Sequence, residues 1–152
     1  MLDRVRARRP DARIEGLLVG PMISGGVDTI VGVARDPVFG PVVMFGLGGI
    51  FVEVLQDVTF RVAPFDAAEA RRMIREIRGF PVLEGVRGAP PGDIDALAAL
   101  LSRLSRVAAA NADRLESIDL NPVIVLPEGR GAVPLDALLE WRPETEEPPH
   151  GR

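Results

Sequence analysis

Three oxygen-bearing side chains near the C-terminal end of the sequence have the types and spacing of a divalent-cation site. Asp119 and Asn121 are two residues apart in the segment IDLNP, so a strand would place both on one face. Asp136 follows a second apolar run, predicted to be the hairpin partner of that strand. Such oxygens on a rigid sheet suit Mg²⁺ that also bridges substrate phosphates. The same face would equally supply general-base carboxylates, or the residues are a surface Asp and an Asn that caps its own turn.

A second group of candidate residues lies between Asp28 and Glu53. An apolar strand over 42–45 runs into the turn Gly46-Leu47-Gly48-Gly49, followed by a short helix predicted over 50–55. Backbone N–H groups at such a helix N-terminus suit an anion, although glycines can also serve only to permit a tight turn. Glu53 lies in the first turns of that helix, where the helix dipole would stabilise a carboxylate in any case.

Two arginines at strand positions are further candidates. Arg35 ends a predicted strand beside a turn, where its planar fork can meet a phosphate or form an ordinary salt bridge with Asp36. Arg61 belongs to a predicted strand over 59–63, and the sequence leaves open which way its side chain points.

Composition removes several kinds of chemistry. The 152 residues include no cysteine, which excludes disulfides, thiolate metal ligands and a cysteine nucleophile. The one histidine, His150, lies in a polar tail, which argues against a Ser-His-Asp triad or a multi-histidine metal site. All 18 basic side chains are arginine, so Schiff-base chemistry and a P-loop lysine are excluded. With a net charge of -4 and no apolar run of membrane-spanning length, a cytoplasmic protein without nucleic-acid or membrane partners is expected.

The first half of the sequence is predicted to hold most of a sheet. Apolar runs over 14–23 and 28–35 flank the turn Ser24-Gly25-Gly26 and predict an antiparallel hairpin. Asp36-Pro37 and Gly40-Pro41 bound the next turn, before the strand over 42–45.

Helices and a second hairpin are predicted for the other half. Asp66 caps one helix, which ends with Gly79 in the position after its C-cap, and 80–92 reads as loop. Asp93 caps a longer helix over 94–112. The core positions expected on it are Ile94, Leu97, Leu100, Leu101, Leu104 and Val107. A strand over 118–126, a turn at 128–131, a partner strand over 132–135 and a short helix around 136–141 follow.

Three segments describe the expected organisation. Residues 1–13 are arginine-rich and helical up to Pro10, and read as the lead-in from a lobe that is not in the chain. Residues 14–142 form the domain. Residues 143–152 are polar and proline-rich, and are expected to be disordered.

Three motifs in this chain match a known family: GLLVGPMISGGVDTIVGVARDPVFGPVVMFGLGGIFVEVL, FRVAPFDAAEARRMI and IDLNPVIVL. From about Pro10 to Leu139 the sequence resembles the C-terminal subdomain of the ATP-grasp domain of NDP-forming acyl-CoA synthetases. These include ADP-forming acetate–CoA ligase, the more distant succinyl-CoA ligase β chain, and the synthetase-like part of fused protein lysine acetyltransferases. The resemblance implies an α+β fold, a mostly antiparallel sheet flanked by helices, which closes over ATP against an N-terminal lobe.

The resemblance also implies roles for individual residues. Asp119, Asn121 and Asp136 match the residues that hold Mg²⁺ and phosphates, and Asp28 stands where the family has Glu. Residues 18–22 match the adenine hinge, which reads Leu-Val-Gly-Pro-Met here instead of the usual Leu-Val-Gln-Glu-Met. The contacts to ATP or ADP expected from the motifs and the resemblance are Val19, Met22, Asp28, Arg35, Gly46, Gly48, Gly49 and Glu53. No catalytic residue is assigned.

The expected function is therefore a half-site. The family's ATP-binding lysine and phosphohistidine match nothing in this chain, so the N-terminal lobe and the CoA-binding domains or subunit are expected partners. CoA and a carboxylic acid would bind through them, and self-association as a homodimer can cover the exposed cleft. The isolated chain is expected to be inactive as an acid–CoA ligase. A non-catalytic nucleotide-binding or regulatory module, as in the protein acetyltransferases, is the alternative that the altered hinge favours.

Overall fold

The computed structural model describes residues 1–49, 56–86 and 88–142, and the fold is given for these ranges. The helices are α1 (Leu2–Arg8), α2 (Ala67–Glu76), α3 (Phe80–Leu83) and α4 (Ile94–Ala110). The strands are β1 (Val27–Asp36), β2 (Gly40–Leu47), β3 (Val58–Val62), β4 (Leu115–Val125), β5 (Ala132–Pro134) and β6 (Leu138–Trp141). The helix predicted over 50–55, Glu53 and the tail 143–152 lie outside the described residues.

A six-stranded antiparallel sheet forms the framework of the domain. Its strand order is β3-β2-β1-β4-β5, and β6 pairs with β4 beside β5. Helices α2 and α4 pack against each other and against one face of this sheet, where Val31, Phe45 and Leu101 are fully buried. The α+β class and the mostly antiparallel sheet flanked by helices are thus confirmed. The opposite face carries no helix of the described ranges and is called the open face below.

The hairpin predicted between 14–23 and 28–35 is wrong. Residues 14–23 have no regular structure, and most of their apolar side chains are exposed, with Leu18 and Met22 more than 90% accessible. Both edges of β1 are already hydrogen-bonded, to β2 and to β4, so no edge of it is left for this segment. Pro21 also lacks the N–H that a central strand needs.

The hairpin that does form joins β1 and β2 through the turn predicted at 36–41. The Asp36 carboxylate accepts hydrogen bonds of 2.8 Å from the backbone N–H groups of Val38 and Phe39. These bonds to Phe39 and Val38 lower the pKa of Asp36, because they stabilise its charged form. Gly40 then adopts a positive φ of 76°, which a side chain would disfavour.

Helix α2 begins as predicted and ends differently. The Asp66 side chain accepts from the Glu69 N–H at 2.8 Å, which confirms the cap. The helix ends at Glu76, and Gly79, with φ of -75°, precedes the short helix α3 in the stretch predicted to be loop. A Cβ on Gly79 would lie 2.4 Å from Leu47 Cδ1. Gly79 is therefore required by packing against β2, and the prediction that it directly follows the C-cap is wrong, because the C-cap is Ile77.

Helix α4 confirms its predicted cap and corrects part of its predicted core face. Leu97 and Leu101 are fully buried, whereas Val107 is half exposed. Three small residues are buried on the next turns instead, namely Ser102, Ser105 and Ala108. Ser102 and Ser105 both donate to the Phe65 carbonyl oxygen, at 3.0 and 3.1 Å. Small hydrogen-bonded side chains let the end of β3 approach the helix closely, which an apolar count along the helix does not detect.

Asp93 joins the start of α4 to the β4–β5 hairpin. One carboxylate oxygen accepts from the Ala96 N–H at 3.0 Å, and the other from the Gly131 N–H at 2.9 Å. The Ala96 bond, followed by that of Gly131, lowers the pKa of Asp93. Since the side chain is nearly buried, its loss would leave two backbone donors without partners.

Asp93→Ala is expected to lower the free energy of unfolding by about 1–3 kcal/mol, the usual cost of a lost N-cap and an unsatisfied buried donor. Asp93→Asn should lose less, because an amide oxygen can still cap Ala96. Urea denaturation measures both. Asp95→Ala is the matched control, since Asp95 is exposed and forms a surface ion pair with Arg71, typically worth at most about 1 kcal/mol. Equal losses for the two alanine variants would contradict this assignment.

The short helix predicted around 136–141 is wrong, because residues 138–141 form strand β6. Strand β4 has 11 residues and extends beyond the three of β5, so it offers an edge that β6 completes. The Arg114 guanidinium lies 5.9 Å from the centre of the Trp141 ring, and the Arg142 N–H donates to the Arg114 carbonyl oxygen at 2.8 Å. These pairings outweigh the local helix preference of the sequence.

Candidate functional site

Strand β4 presents Asp119 and Asn121 on the open face of the sheet. Their neighbours Ile118 and Leu120 are buried against the helices, while Asp119 and Asn121 are both exposed. This alternation confirms the prediction that the two side chains share one face. Asn121 and Pro122 together lie opposite the single residue Ile30 of β1, so the strand bulges at this point. Bulges of this kind often reorient side chains at the edge of a site.

The sheet register brings Asp136 beside this pair. Val123 is paired with Pro134 and Asp119 with Leu138, so three residues on each side separate the two pairs. Counted along both strands, Asp136 falls opposite Asn121, and the Leu135 N–H donates to the Pro122 carbonyl oxygen at 2.9 Å in the same register. Asp136 lies in the short connection between β5 and β6, which follows the edge of β4 beside Asn121, so the three residues are brought near one another.

The chemistry of this set is that of a hard-cation site with few protein ligands. Within 1–49, 56–86 and 88–142, no group of three or more His, Cys, Asp or Glu side chains is placed to hold a metal ion. Asp119 and Asp136 supply two carboxylates, and Asn121 adds an amide oxygen. Mg²⁺ commonly takes one or two carboxylates and completes its shell with water and substrate phosphates. The donor set fits that use, and the metal-binding role of these residues stays a prediction.

A cleft of about 350 Å³ lies between the start of β1 and the end of β2. Asp28, Gly48 and Gly49 line it, so three residues predicted to contact the nucleotide do lie together. The Gly48 N–H donates to the Asp28 carbonyl oxygen at 2.8 Å, and a Cβ on Gly48 would lie 3.1 Å from Asp28 Cβ. The Gly48 N–H therefore links the two segments that border the cleft and already has a hydrogen-bond partner. Gly49 has a positive φ of 63°, a conformation that favours glycine.

Gly46 has a packing role in addition to the predicted one. A Cβ at this position would lie 2.9 Å from the Asp57 carbonyl oxygen and 2.9 Å from Val58 Cγ1. Asp57 in turn accepts from the backbone N–H groups of Arg78 at 2.8 Å and Gly79 at 2.6 Å. Gly46 thus allows β2 and the start of β3 to meet closely, and its contact with a nucleotide stays a prediction.

Arg35 lies near the C-terminal end of α4. Its guanidinium donates to the Ala112 carbonyl oxygen, just after that helix. A cation there interacts favourably with the helix dipole, which accounts for Arg35 without a ligand. This contact uses one of five donors, and Arg35 also lines a cleft of about 330 Å³ on the open face, so its contact with a phosphate stays a prediction.

The predicted hinge residues Val19 and Met22 do not join these clefts. Both belong to the irregular segment 14–23 and are about 90% accessible. Their part in binding a base therefore remains a prediction that rests on sequence resemblance.

The structure settles the direction of Arg61, which the sequence left open. Arg61 points to the helical side and donates to Glu69 at 2.6 Å and to Glu76 on α2. Thr59 also donates to Glu76, at 3.2 Å. Hydrogen bonds from Arg61, and at Glu69 also from Arg72, hold the pKa of both glutamates below the ordinary range, while the pKa of Arg61 is raised. This network fixes α2 to β3 and lies away from the open face.

The pKa shifts of Glu69 and Glu76 predict how this network responds to pH. Because their pKa values are lower in the folded chain, their stabilisation is present above the unfolded value of 4.5 and is lost as pH falls through the folded values. Wild type should therefore be more stable than Arg61→Gln at about pH 7, and this difference should shrink below about pH 4.5. Urea denaturation of both proteins across this range tests it, with exposed Arg75→Gln as control. A difference that grows in acid would contradict the assignment.

Apart from Arg35, sequence reasoning missed the residues that line the open-face cleft of about 330 Å³. Gly32, Met44 and Phe60, from three neighbouring strands, are among its lining residues. The available signal was a glycine in the middle of a run of β-branched residues, which often marks the close approach of another group. The exposed apolar side chains of Phe60 and Val62 lie on the same side.

Comparison with known proteins identifies the family. The sequence matches the ATP-grasp domain over residues 1–140. The chain belongs to the ATP-grasp family. Among curated relatives of this ATP-grasp domain is the β subunit of ADP-forming acetate–CoA ligase II from Pyrococcus furiosus, 48% identical over 137 residues, which cover 90% of this chain and 58% of that protein. ADP-forming acetate–CoA ligase I from Archaeoglobus fulgidus is 49% identical over 139 residues, or 91% of this chain and 20% of that protein.

Solved structures agree with this assignment of the ATP-grasp fold. The dinucleotide forming acetyl-coenzyme A synthetase 1 of Ca. Korarchaeum cryptofilum, in complex with coenzyme A and Mg-AMPPCP, is 45% identical with a TM-score of 0.73. The match covers 79% of this chain and 55% of that chain. The chain thus spans between 20% and 58% of the length of these proteins. In the described ranges, no helix is both long and apolar enough to cross a membrane.

Proposed function

We propose that this ATP-grasp chain forms one wall of the ATP/ADP and Mg²⁺ site of an ADP-forming acid–CoA ligase. The reaction of the complete assembly would be acyl-CoA + ADP + phosphate ⇌ acid + CoA + ATP. The observation that carries the proposal is the arrangement on the open face. Asp119 and Asn121 are exposed there, Asp136 lies beside them in register, and a cleft opens next to Asp119.

In this proposal each group has a separate task. The oxygens of Asp119, Asn121 and Asp136 hold the cation, which when bound neutralises charge on the phosphates during phosphoryl transfer. Asp28 and Gly49 border the phosphate end through the cleft of about 350 Å³. Arg35 and residues 46–49 keep the strands that carry these groups in place. The chain itself supplies positioning and charge, and no nucleophile.

The rest of the site is proposed to come from elsewhere. This chain covers only 58% of one of the relatives that match nearly all of it, which is called subunit β, and 20% of the other. We infer that a further lobe completes the nucleotide site, and that CoA-binding domains or a subunit supply CoA and the carboxylic acid. A cytoplasmic location and a possible homodimer remain predictions from the sequence, as does the absence of nucleic-acid and membrane partners.

A second candidate function is a non-catalytic nucleotide-binding or regulatory module, such as the synthetase-like part of a protein acetyltransferase. The observation that favours it is the hinge sequence Leu-Val-Gly-Pro-Met. Pro21 has no N–H to offer a base, and Val19 and Met22 lie exposed in an irregular segment.

Calorimetric titration of the isolated chain with Mg·ATP tests the half-site proposal. A single wall makes few contacts with the nucleotide, so the expected affinity is in the millimolar range or weaker, about 4 kcal/mol of binding free energy or less. Supplying the completing lobe should tighten binding by at least about tenfold. Micromolar affinity for the isolated chain would show that it is a complete site and would contradict the proposal.

A further inference from the structure

Gly32 lies in the middle of β1, at the centre of the open face. Strand β1 is hydrogen-bonded on both sides, and Gly32 is paired with Met44 on β2 and with Asp119 on β4. Glycine in the interior of a central strand is unfavourable, because it loses more backbone freedom on folding than other residues and contributes no side-chain packing. A glycine at this position therefore requires a reason.

The fold itself explains the two glycines of the neighbouring strand β2, Gly40 and Gly46, but it does not explain Gly32 on β1. Gly40 has a positive φ of 76°, and a Cβ on Gly46 would lie 2.9 Å from the Asp57 carbonyl oxygen. Gly32 is absent from the residues with positive φ. A Cβ on it would meet Met44 Cε at 3.5 Å and the Ile118 carbonyl oxygen at 3.7 Å, which are ordinary contacts. The described chain would accommodate alanine there.

The missing side chain instead keeps a space open. Gly32 and Ala34 form the floor of the 330 Å³ cleft, and Val42, Met44 and Phe60 form an apolar wall. On the other side of Gly32, one strand away, stands the exposed carboxylate of Asp119. The open face thus offers an apolar surface on β2 and β3 and a charged oxygen on β4, about 10 Å apart across β1. A nucleotide, with an apolar base and a cation-bound phosphate chain, has this polarity.

We propose that Gly32 is a clearance residue for the nucleotide: its missing side chain lets the nucleotide pass directly over β1, from the apolar wall to the phosphate end at Asp119. This inference rests on the proposed function and adds a residue to its site. A side chain at position 32 would stand between the apolar wall and Asp119. It would lift the nucleotide from the sheet and separate its phosphates from the Asp119 carboxylate.

Amide-resolved NMR titration of the full chain with Mg·ADP, up to about 50 mM because the expected affinity is millimolar, tests this inference. Wild type should show shifts at Gly32 and Met44 together with Asp119. Gly32→Ala should weaken binding by about tenfold, and Gly32→Val should abolish detectable binding, because one carbon atom in a fitted site changes affinity by about 10–200-fold. The melting temperature of Gly32→Ala should stay the same or rise by up to about 3 °C, because the fold does not need glycine there.

Val62→Ala is the matched control, since Val62 is half exposed on β3 near the cleft, and should change the affinity by less than about twofold. Gly32→Ala that melts more than about 5 °C lower and binds Mg·ADP as wild type does would show that the fold requires the glycine, and would overturn the inference. Unchanged affinity in both Gly32 variants would also overturn it. Shifts at Asp119 and Asn121 without shifts at Gly32 would remove the inference and leave the proposed function. No shifts at all would remove both.

Discussion

Asp119→Asn is expected to lower the Mg²⁺-dependent ligase activity of an assembly containing this chain by about 100-fold or more. The substitution keeps the size and polarity of the side chain and removes one of the two carboxylates proposed to hold the cation. A divalent cation stabilises transition-state charge by several kcal/mol, and each 1.36 kcal/mol corresponds to about tenfold in rate. Raising the Mg²⁺ concentration should restore part of the lost activity, because the variant binds the cation more weakly.

Glu116→Gln is the matched control for this prediction. Glu116 is exposed on the same strand, three residues away, and its carboxylate belongs to no proposed site. Steady-state rates measured against Mg²⁺ concentration should be the same for this variant and wild type. Asp119→Asn with wild-type activity and an unchanged Mg²⁺ dependence would show that Asp119 is only a surface carboxylate.

Phe45→Ala is expected to remove about 3–5 kcal/mol of folding free energy. Phe45 is fully buried on β2 between Val31 and Thr59 of the neighbouring strands, in the core beneath the helices. Since domains are typically stable by about 5–15 kcal/mol, this loss would leave a large fraction of the chain unfolded at moderate temperature. Urea denaturation followed by circular dichroism measures it.

The same substitution on the open face provides the comparison. Phe60 lies on β3, next to β2, and its side chain is 55% exposed. Phe60→Ala should therefore cost no more than about 1 kcal/mol, as expected for a surface position. Similar losses for the two variants would mean that the open face is covered in solution, and would contradict the arrangement with helices on one side only.

Local signals in the sequence predicted the parts of the fold that depend on local chemistry. The caps at Asp66 and Asp93 follow from an acidic side chain that reaches an N–H three residues on, and both form as predicted. The predictions for the segments 14–23 and 136–141 were wrong because the structure of these segments depends on distant parts of the chain. Whether an apolar run becomes a strand depends on a free edge: β1 offers none to the first segment, while β4 offers one to the second.

The same difference between local and long-range signals applies to the candidate site. The common face of Asp119 and Asn121 follows from the period of a strand, and the nearness of Asp136 follows from the predicted hairpin. The reasons for Gly79 and Gly32 could not be derived from sequence, because the reason for a glycine depends on what lies beside it in space. Gly79 meets Leu47 of a distant strand, and Gly32 meets nothing that excludes a side chain.

The central claim, that the open face is a nucleotide and cation wall, is tested most directly by replacing Mg²⁺ with paramagnetic Mn²⁺ in a titration with ADP. Amide resonances near a bound Mn²⁺ broaden, so the pattern locates the cation on the chain without requiring a complete enzyme. The account predicts broadening centred on Asp119, Asn121 and Asp136, extending to Gly32 and absent in Asp119→Asn. Broadening centred elsewhere, or equal in wild type and variant, would contradict it.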